Sequence, residues 1–386
     1  MTAPGSDSSR TDPSRTEKRK MTVSQRSIAA LTEDLQRWLS TQAGLPGTPT
    51  VTSVRPPDSN GLSSTSVLFD VSFAGEDGTS TGSYVARMAP EDSALPVFPR
   101  YDLPAQYELI SRVAAACPIP LPRLRWNVPD GGSFGSPFFV MDRVEGRIPL
   151  DNPPYVFGGW VLEATPDDRA RLQRASVEIL AKLHALPADA AAVPALSPPA
   201  GCDPLRHHVE QQRHYYRWAL ADDGVRVPII ERSLDWLEEH WPTDPGPAIL
   251  TWGDARIGNI IYQGFEPVAV LDWEMAALGP RELDVSWFIF LHRFFQDIAE
   301  FFGLEGLPDF LRRSDVEQYY CEVTGWRLRD MDFFLTYAAF RHAIVMARIR
   351  RRMIHFGEDE VPAEPDDYVM HRASLERMLA GTYRWD

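Results

Sequence analysis

The apolar positions change period along the chain. Ile28, Leu31, Leu35, Trp38 and Leu39 recur at three- and four-residue spacing. That stripe predicts an amphipathic helix from about Ser24, closed by Gly44. The period then drops to two. Residues 48–55, 65–73 and 82–88 read as strands, the second with Val67, Phe69, Val71 and Phe73 on one face. A helix is expected over about 104–116, stopped by Cys117-Pro118-Ile119-Pro120, then two more strands at 123–127 and 137–142. Beyond Thr165-Pro166-Asp167-Asp168, a helix start with an N-cap, an early proline and two acids, the pattern is helical. Helices are expected near 165–186, 203–222, 228–241, 280–296, 314–324, 330–355 and 367–380, interrupted by one β-rich island at 248–273. The expected fold is α+β: a small β-rich lobe at 23–144 and a larger helical lobe at 145–386. Residues 1–22 read as a disordered polar tail, with Met21-Thr22-Val23 as an alternative start context.

Composition narrows the function classes. With 44% hydrophobic residues in 386, the chain can bury a core of two or three domains. Thirty-nine Lys and Arg against 54 Asp and Glu give −15, which argues against a nucleic-acid coat or an anionic-membrane binder and leaves room for a cationic partner. Cys117, Cys202 and Cys321 lie far apart without a CxxC, so neither a disulfide framework nor a cysteine zinc site is expected. No run is long and apolar enough to span a bilayer, and the N-terminus has no apolar signal core. A cytoplasmic protein is the expectation. Nothing in the pattern specifies an oligomeric state.

The candidate chemistry sits in the β-rich island. Two short apolar strands flank the turn Gln263-Gly264-Phe265-Glu266, which reads as a hairpin. Asn259 opens the first strand and Asp272 closes the second, so antiparallel pairing brings them to one end. Asp254 lies on the loop feeding that end, five residues before Asn259. Carboxylate and amide oxygens suit a hard cation such as Mg2+, and a carboxylate left off the metal could take a proton from a hydroxyl. Arg256 could balance phosphate charge. The plainer alternative is a hairpin edge of solvated acids.

Gly253-Asp254-Ala255-Arg256-Ile257-Gly258-Asn259, followed by Val270-Leu271-Asp272-Trp273-Glu274, resembles the aminoglycoside phosphotransferase and choline kinase superfamily. The resemblance runs from about Leu31 to Arg352. Its nearest branch contains the kinase-like domains found beside acyl-CoA dehydrogenases. The resemblance implies a protein-kinase-like fold and ATP- and Mg2+-dependent phosphoryl transfer to a hydroxyl of a small molecule. It implies Asp254 as the base and Asn259 and Asp272 as magnesium ligands. Arg87, in Tyr84-Val85-Ala86-Arg87, would be the phosphate-contacting residue of the third strand, paired with Glu108 on the following helix. Residues 60–65, with Ser63, Ser64 and Thr65, would cover the nucleotide phosphates. Met141, Asp142 and Val144 would form the hinge at adenine, and Asp284 would brace the catalytic loop. Two residues depart from the pattern: Trp252 stands where the family usually has His, and Arg87 where many kinases have Lys. The phosphate loop is weak, and no GxxxxGK[ST] occurs, so a P-loop NTPase is excluded.

The acceptor is expected to be an amine-bearing molecule, drawn by Asp297, Glu300 and the acids at 358–367, or a hydroxyacyl compound. A catalytically silent nucleotide-binding module and a metal hydrolase are the rival functions. His184, on an otherwise apolar helix, is read as a satisfied core histidine. Tyr215, Tyr216 and Trp218 could line a cleft or pack in the core. Arg348, Arg350, Arg351 and Arg352 read as a charged helix end rather than an anion site.

Overall fold

The computed structural model describes residues 26–56, 65–76, 78–187, 193–221 and 223–386. The tail at 1–22 lies outside the described residues. The first helix, α1 (Ile28–Leu39), begins with its apolar stripe rather than at Ser24, because the Ser27 side chain caps it at Ala30 N. Strands β1 (Thr48–Arg55), β2 (Thr65–Gly75) and β3 (Gly78–Met88) precede α2 (Leu103–Ala116), and β4 (Leu124–Val128) and β5 (Phe138–Asp142) follow it. They form one antiparallel sheet in the order β1-β2-β3-β5-β4.

Strand alternation decides what faces the cleft. On β3, Tyr84, Ala86 and Met88 enter the core under α1, as do Phe138 and Val140 of β5. Trp38 of α1 packs edge-on to Phe138 there, with centroids 5.1 Å apart. The intervening residues face the other way. Phe139 enters the second, larger core, Met141 packs against it, and Arg87 lies opposite Phe139 in the β3–β5 register.

That larger core holds α2 together with α3 (Pro166–His184), α4 (Pro204–Ala219), α5 (Pro228–Glu239), α6 (Glu282–Phe301), α7 (Arg313–Thr324), α8 (Met331–Phe356) and α9 (Arg372–Leu379). Between α5 and α6 lie β6 (Ile249–Thr251), β7 (Ile260–Gln263), β8 (Glu266–Val270) and β9 (Ala277–Gly279). The expected hairpin is β7–β8, and a second pair, β6–β9, frames it. At three residues each, β6 and β9 are too short to show a period in sequence. Among the described residues, no helix is long and apolar enough to cross a membrane.

Two of the histidines buried in the helical core, His292 and His371, bear on how stability depends on pH. His292 donates from Nε2 to the Leu307 carbonyl (3.2 Å) and accepts from the Tyr155 hydroxyl at Nδ1 (2.8 Å). His371 donates from Nε2 to the Ala339 carbonyl (2.9 Å). Burial pushes His292 down to about 3 and His371 down to about 4. Both folded values lie below the unfolded one, so their stabilisation is complete above pH 6.5 and is lost as pH falls toward the folded values. Each such group removes up to about 1.4 kcal/mol per pH unit in that window. Thermal melts at pH 7, 6 and 5 should therefore show Tm falling at each step; a flat Tm is the contrary result.

Candidate active site

A buried carboxylate organises the site. Asp284, in the first turn of α6, is fully buried and accepts from Trp252 N (2.6 Å), Gly253 N (2.8 Å) and His184 Nε2 (3.0 Å). His184 Nδ1 meets the Tyr320 hydroxyl of α7 at 2.8 Å, so this histidine is a satisfied core residue. The backbone leaves Asp284 through Gly253, whose φ is +91°. A Cβ there would sit on the Met275 carbonyl, so only glycine fits.

The next residue, Asp254, receives three donors. Trp287 Nε1 of α6 reaches Oδ1 at 2.7 Å. Asn259 Nδ2 reaches Oδ2 at 2.6 Å, and Arg256 Nε reaches the same oxygen at 3.0 Å. Arg256 also donates from Nη1 to Asp151 at 2.6 Å. Burial alone would lower the Arg256 pKa, but Asp254 and Asp151 outweigh it and raise it. Gly258 lets these groups meet: a Cβ there would strike Arg256 Nη1 and lie 2.9 Å from Asp151 Oδ1.

The hairpin joins Asn259 to Asp272. Ile260 pairs with Val270, and Leu271 N donates to the Asn259 carbonyl at 2.8 Å. Asp272 adopts a left-handed φ of +62°, a conformation that aspartate tolerates better than most residues. Trp252 Nε1 holds this turn through the Leu271 carbonyl (2.8 Å) and the Asp272 carbonyl (3.1 Å). The tryptophan in the usual histidine position thus ties the Asp254 loop to the Asp272 loop. Across the cleft, Arg87 Nη2 meets Asp272 Oδ1 at 2.9 Å and lies 3.7 Å from Glu274 Oε2. Burial would lower the Arg87 pKa, yet these two carboxylates raise it.

The expected Arg87–Glu108 pair is not made. Glu108 is bonded one turn along α2 to Arg112 (2.7 Å), and both side chains are exposed. The buried stripe of α2 is Leu103, Gln106, Leu109, Ile110 and Val113, which places residue 108 on the opposite side. Gln106, with Arg87, Phe139, Met141 and Asp272, lines a small cavity behind the cleft. At the hinge, the Asp142 N–H donates to the Arg123 carbonyl (2.9 Å) and its carboxylate binds Arg125 (2.6 Å). Val144 is half-buried just beyond β5. Ser63 and Ser64 lie outside the described residues, and Thr65 opens β2 opposite Met88.

Other expectations are corrected by packing. Arg348, Arg351 and Arg352 are buried and cap carbonyls, including Pro96 O (2.9 Å), Val225 O (2.7 Å) and Ala94 O (3.3 Å), so they are not a solvated helix end. Tyr215 and Tyr216 are buried in the core, and Trp218 packs under the Arg348 guanidinium. Asp297 and Glu300 bind Arg293, Asp359 binds Arg350, and Asp366 accepts from Ile229 N at the start of α5. Each of these four acids has an internal partner, while Glu358, Glu360, Glu364 and Asp367 stay exposed.

The donor set suits magnesium. Asn259 directs its NH2 to two acceptors, the carbonyl and carboxylate of Asp254 (3.0 and 2.6 Å), so its amide oxygen is the atom left for a cation. An amide oxygen and the Asp272 carboxylate are hard ligands of the kind magnesium shares with phosphate oxygens and water. Sequence reasoning missed Trp287, Asp151, Gln106 and Glu274. Gln106 had a signal in its place on the apolar stripe of α2, and Glu274 in its place at the end of the motif that contains Asp272.

The curated relatives include a probable acyl-CoA dehydrogenase, IBR3, of Arabidopsis thaliana, 24% identical over 72% of this chain and 34% of that protein. The chain thus spans about a third of the length of the curated relatives it matches. Among solved structures, a putative aminoglycoside phosphotransferase of Ralstonia eutropha JMP134 aligns with a TM-score of 0.63, at 20% identity over 91% of this chain and 97% of that one. A thermostable aminoglycoside phosphotransferase APH(4)-Ia mutant, in ternary complex with AMP-PNP and hygromycin B, aligns with a TM-score of 0.54 at 15% identity, covering 90% and 98%. These likenesses establish a two-lobed, protein-kinase-like fold. The family model of the phosphotransferase enzyme family, APH, matches residues 63–314, which is more than half of the chain, and the protein is a member of that family.

Proposed function

We propose that this protein transfers the γ-phosphoryl group of ATP to a hydroxyl of a small molecule, with magnesium. The observation that carries the proposal is the meeting of Asp254, Asn259, Asp272 and Arg87 at one end of the β7–β8 hairpin. Asn259 and Asp272 would hold magnesium, which would neutralise charge on the nucleotide phosphates. Arg87 pairs with Asp272, so its guanidinium stands beside that metal site and would contact phosphate as a planar fork. The Asp142 carbonyl and Val144 would meet adenine. Asp254 would orient the acceptor hydroxyl and take its proton, and Arg256 would hold the Asp254 carboxylate in place. Loss of the family histidine does not favour a silent module, because Trp252 bridges the same two loops.

Two acceptor classes are supported. The neighbour bound to hygromycin B supports an amino sugar, and the relatives named as acyl-CoA dehydrogenases support a hydroxyacyl compound. The direct experiment incubates the protein with magnesium ATP and either hygromycin B or hydroxybutyryl-coenzyme A, and reads a mass gain of one phosphoryl group. A protein that binds no ATP, or phosphorylates neither these nor a wider panel of hydroxylated metabolites, sinks the proposal.

Asp254→Asn keeps the side-chain shape and removes the base. Its kcat should fall on the order of 10²–10⁴-fold, while calorimetry gives a nucleotide Kd within a few-fold of wild type. Arg87→Ala removes a charge-assisted contact and should weaken magnesium ATP binding about 10- to 100-fold. Wild-type affinity would remove Arg87 from the nucleotide site. Gly258→Ala forces Arg256 and Asp151 apart, and misplacement of this order costs about 10²-fold in turnover. An unchanged kcat in a folded Gly258→Ala protein would show that the Asp151–Arg256–Asp254 chain is not needed.

A further inference from the structure

Counting acceptor sites on Asp254 separates its two oxygens. An ionised carboxylate offers about four lone-pair sites. Asn259 and Arg256 occupy both sites of Oδ2, at 2.6 and 3.0 Å. Trp287 occupies one site of Oδ1, at 2.7 Å. One site remains, on Oδ1, and the Asp254 side chain retains 15% exposure. The direction of that last site follows from where the indole donor sits.

The indole is itself held firmly. Trp287 is 2% exposed, the Arg341 guanidinium of α8 stacks 4.4 Å from its ring centroid, and the His342 ring meets it edge-on at 6.1 Å. Arg341 also donates from Nη2 to the Gly253 carbonyl at 3.2 Å. One unit of α6 and α8 thus fixes both the backbone before Asp254 and one carboxylate oxygen of Asp254. This unit contributes no metal ligand and lies on the helical side of the loop.

We propose that Oδ1 of Asp254 is the oxygen that receives the acceptor proton, and that Trp287 is the positioning residue that aims it. The inference rests on the phosphotransferase reading above. In the step, the acceptor oxygen forms a bond to the γ-phosphorus as the bond from that phosphorus to the bridging oxygen breaks. ADP leaves with the bond's electrons, and the acceptor's proton passes to Oδ1. Trp287 touches no substrate and donates only to the base.

Trp287→Phe keeps the stacked ring and deletes the N–H. With magnesium ATP and hygromycin B or hydroxybutyryl-coenzyme A, kcat should fall about 10- to 100-fold, the size of a lost hydrogen bond to a charged group. The KM for ATP should stay within about twofold, since the residue acts on the base alone. A double-mutant cycle separates positioning from general packing. In an Asp254→Ala background, Trp287→Phe should change the residual rate less than about twofold. A full and additive loss there would overturn the proposal, as would a folded Trp287→Phe protein with wild-type kcat. A second reading is independent of turnover. The Nε1–H resonance of Trp287, assigned by its loss in Trp287→Phe, should move upfield in Asp254→Ala as the charged acceptor disappears. A resonance that stays in place overturns the contact. If the wild-type protein phosphorylates neither acceptor nor the wider panel, the phosphotransferase reading fails first, and the indole resonance then decides the Trp287–Asp254 contact by itself.

Discussion

The site depends on one buried carboxylate, Asp284. A charge with no solvent exposure is costly unless every strong acceptor site is met. Two backbone N–H groups, one imidazole and the first turn of α6 meet it. Because two of those donors belong to Trp252 and Gly253, the same bonds that stabilise Asp284 fix the backbone immediately before Asp254. The bracing extends backward through His184 to Tyr320, and forward through the Trp252 indole to the turn at Asp272. From Asp272 it crosses the cleft to Arg87 on the sheet. A continuous path of short polar contacts thus runs from the helical core to the third strand.

Tryptophan indoles stand at two points where a titrating side chain would be less constant. An indole donates one hydrogen bond, does not ionise, and fills a large volume with a rigid plane. Trp252 bridges the two loops that carry Asp254 and Asp272, and Trp287 meets Asp254 itself. Both are buried, so packing fixes where their single donors lie.

The arginines of α8 solve a different problem. The segment between β3 and α2 packs against the helical core with carbonyls that need partners. Arg348 and Arg352 reach Pro96 and Ala94, and the Tyr215 hydroxyl reaches the Val97 carbonyl at 2.9 Å. A guanidinium has several donors in one plane and tolerates burial when these are used. These contacts hold the segment that leads into α2, whose Gln106 lines the small cavity beside Arg87. A basic run at the end of a long helix is here an internal clamp.

What the sequence determined was local. The switch from period two to helical spacing is a direct consequence of which positions touch a core, so it placed the five-stranded sheet and the helices within a few residues. The spacing of Asp254, Asn259 and Asp272 around a hairpin carried their convergence, because antiparallel pairing brings strand ends together whatever surrounds them. Tertiary structure decided which charges pair. Arg87 and Asp272 are 185 positions apart, and Arg256 and Asp151 are 105 apart. No periodicity links such residues, and Coulomb attraction alone lets an arginine choose among many carboxylates. Glu108 was the partner that the resemblance implied, but the rotation of α2 set by its buried leucines turned it outward and Gln106 inward. The arginines at 348, 351 and 352 were read as a charged helix end for the same reason: a charged residue looks exposed until the fold supplies the groups that partner it.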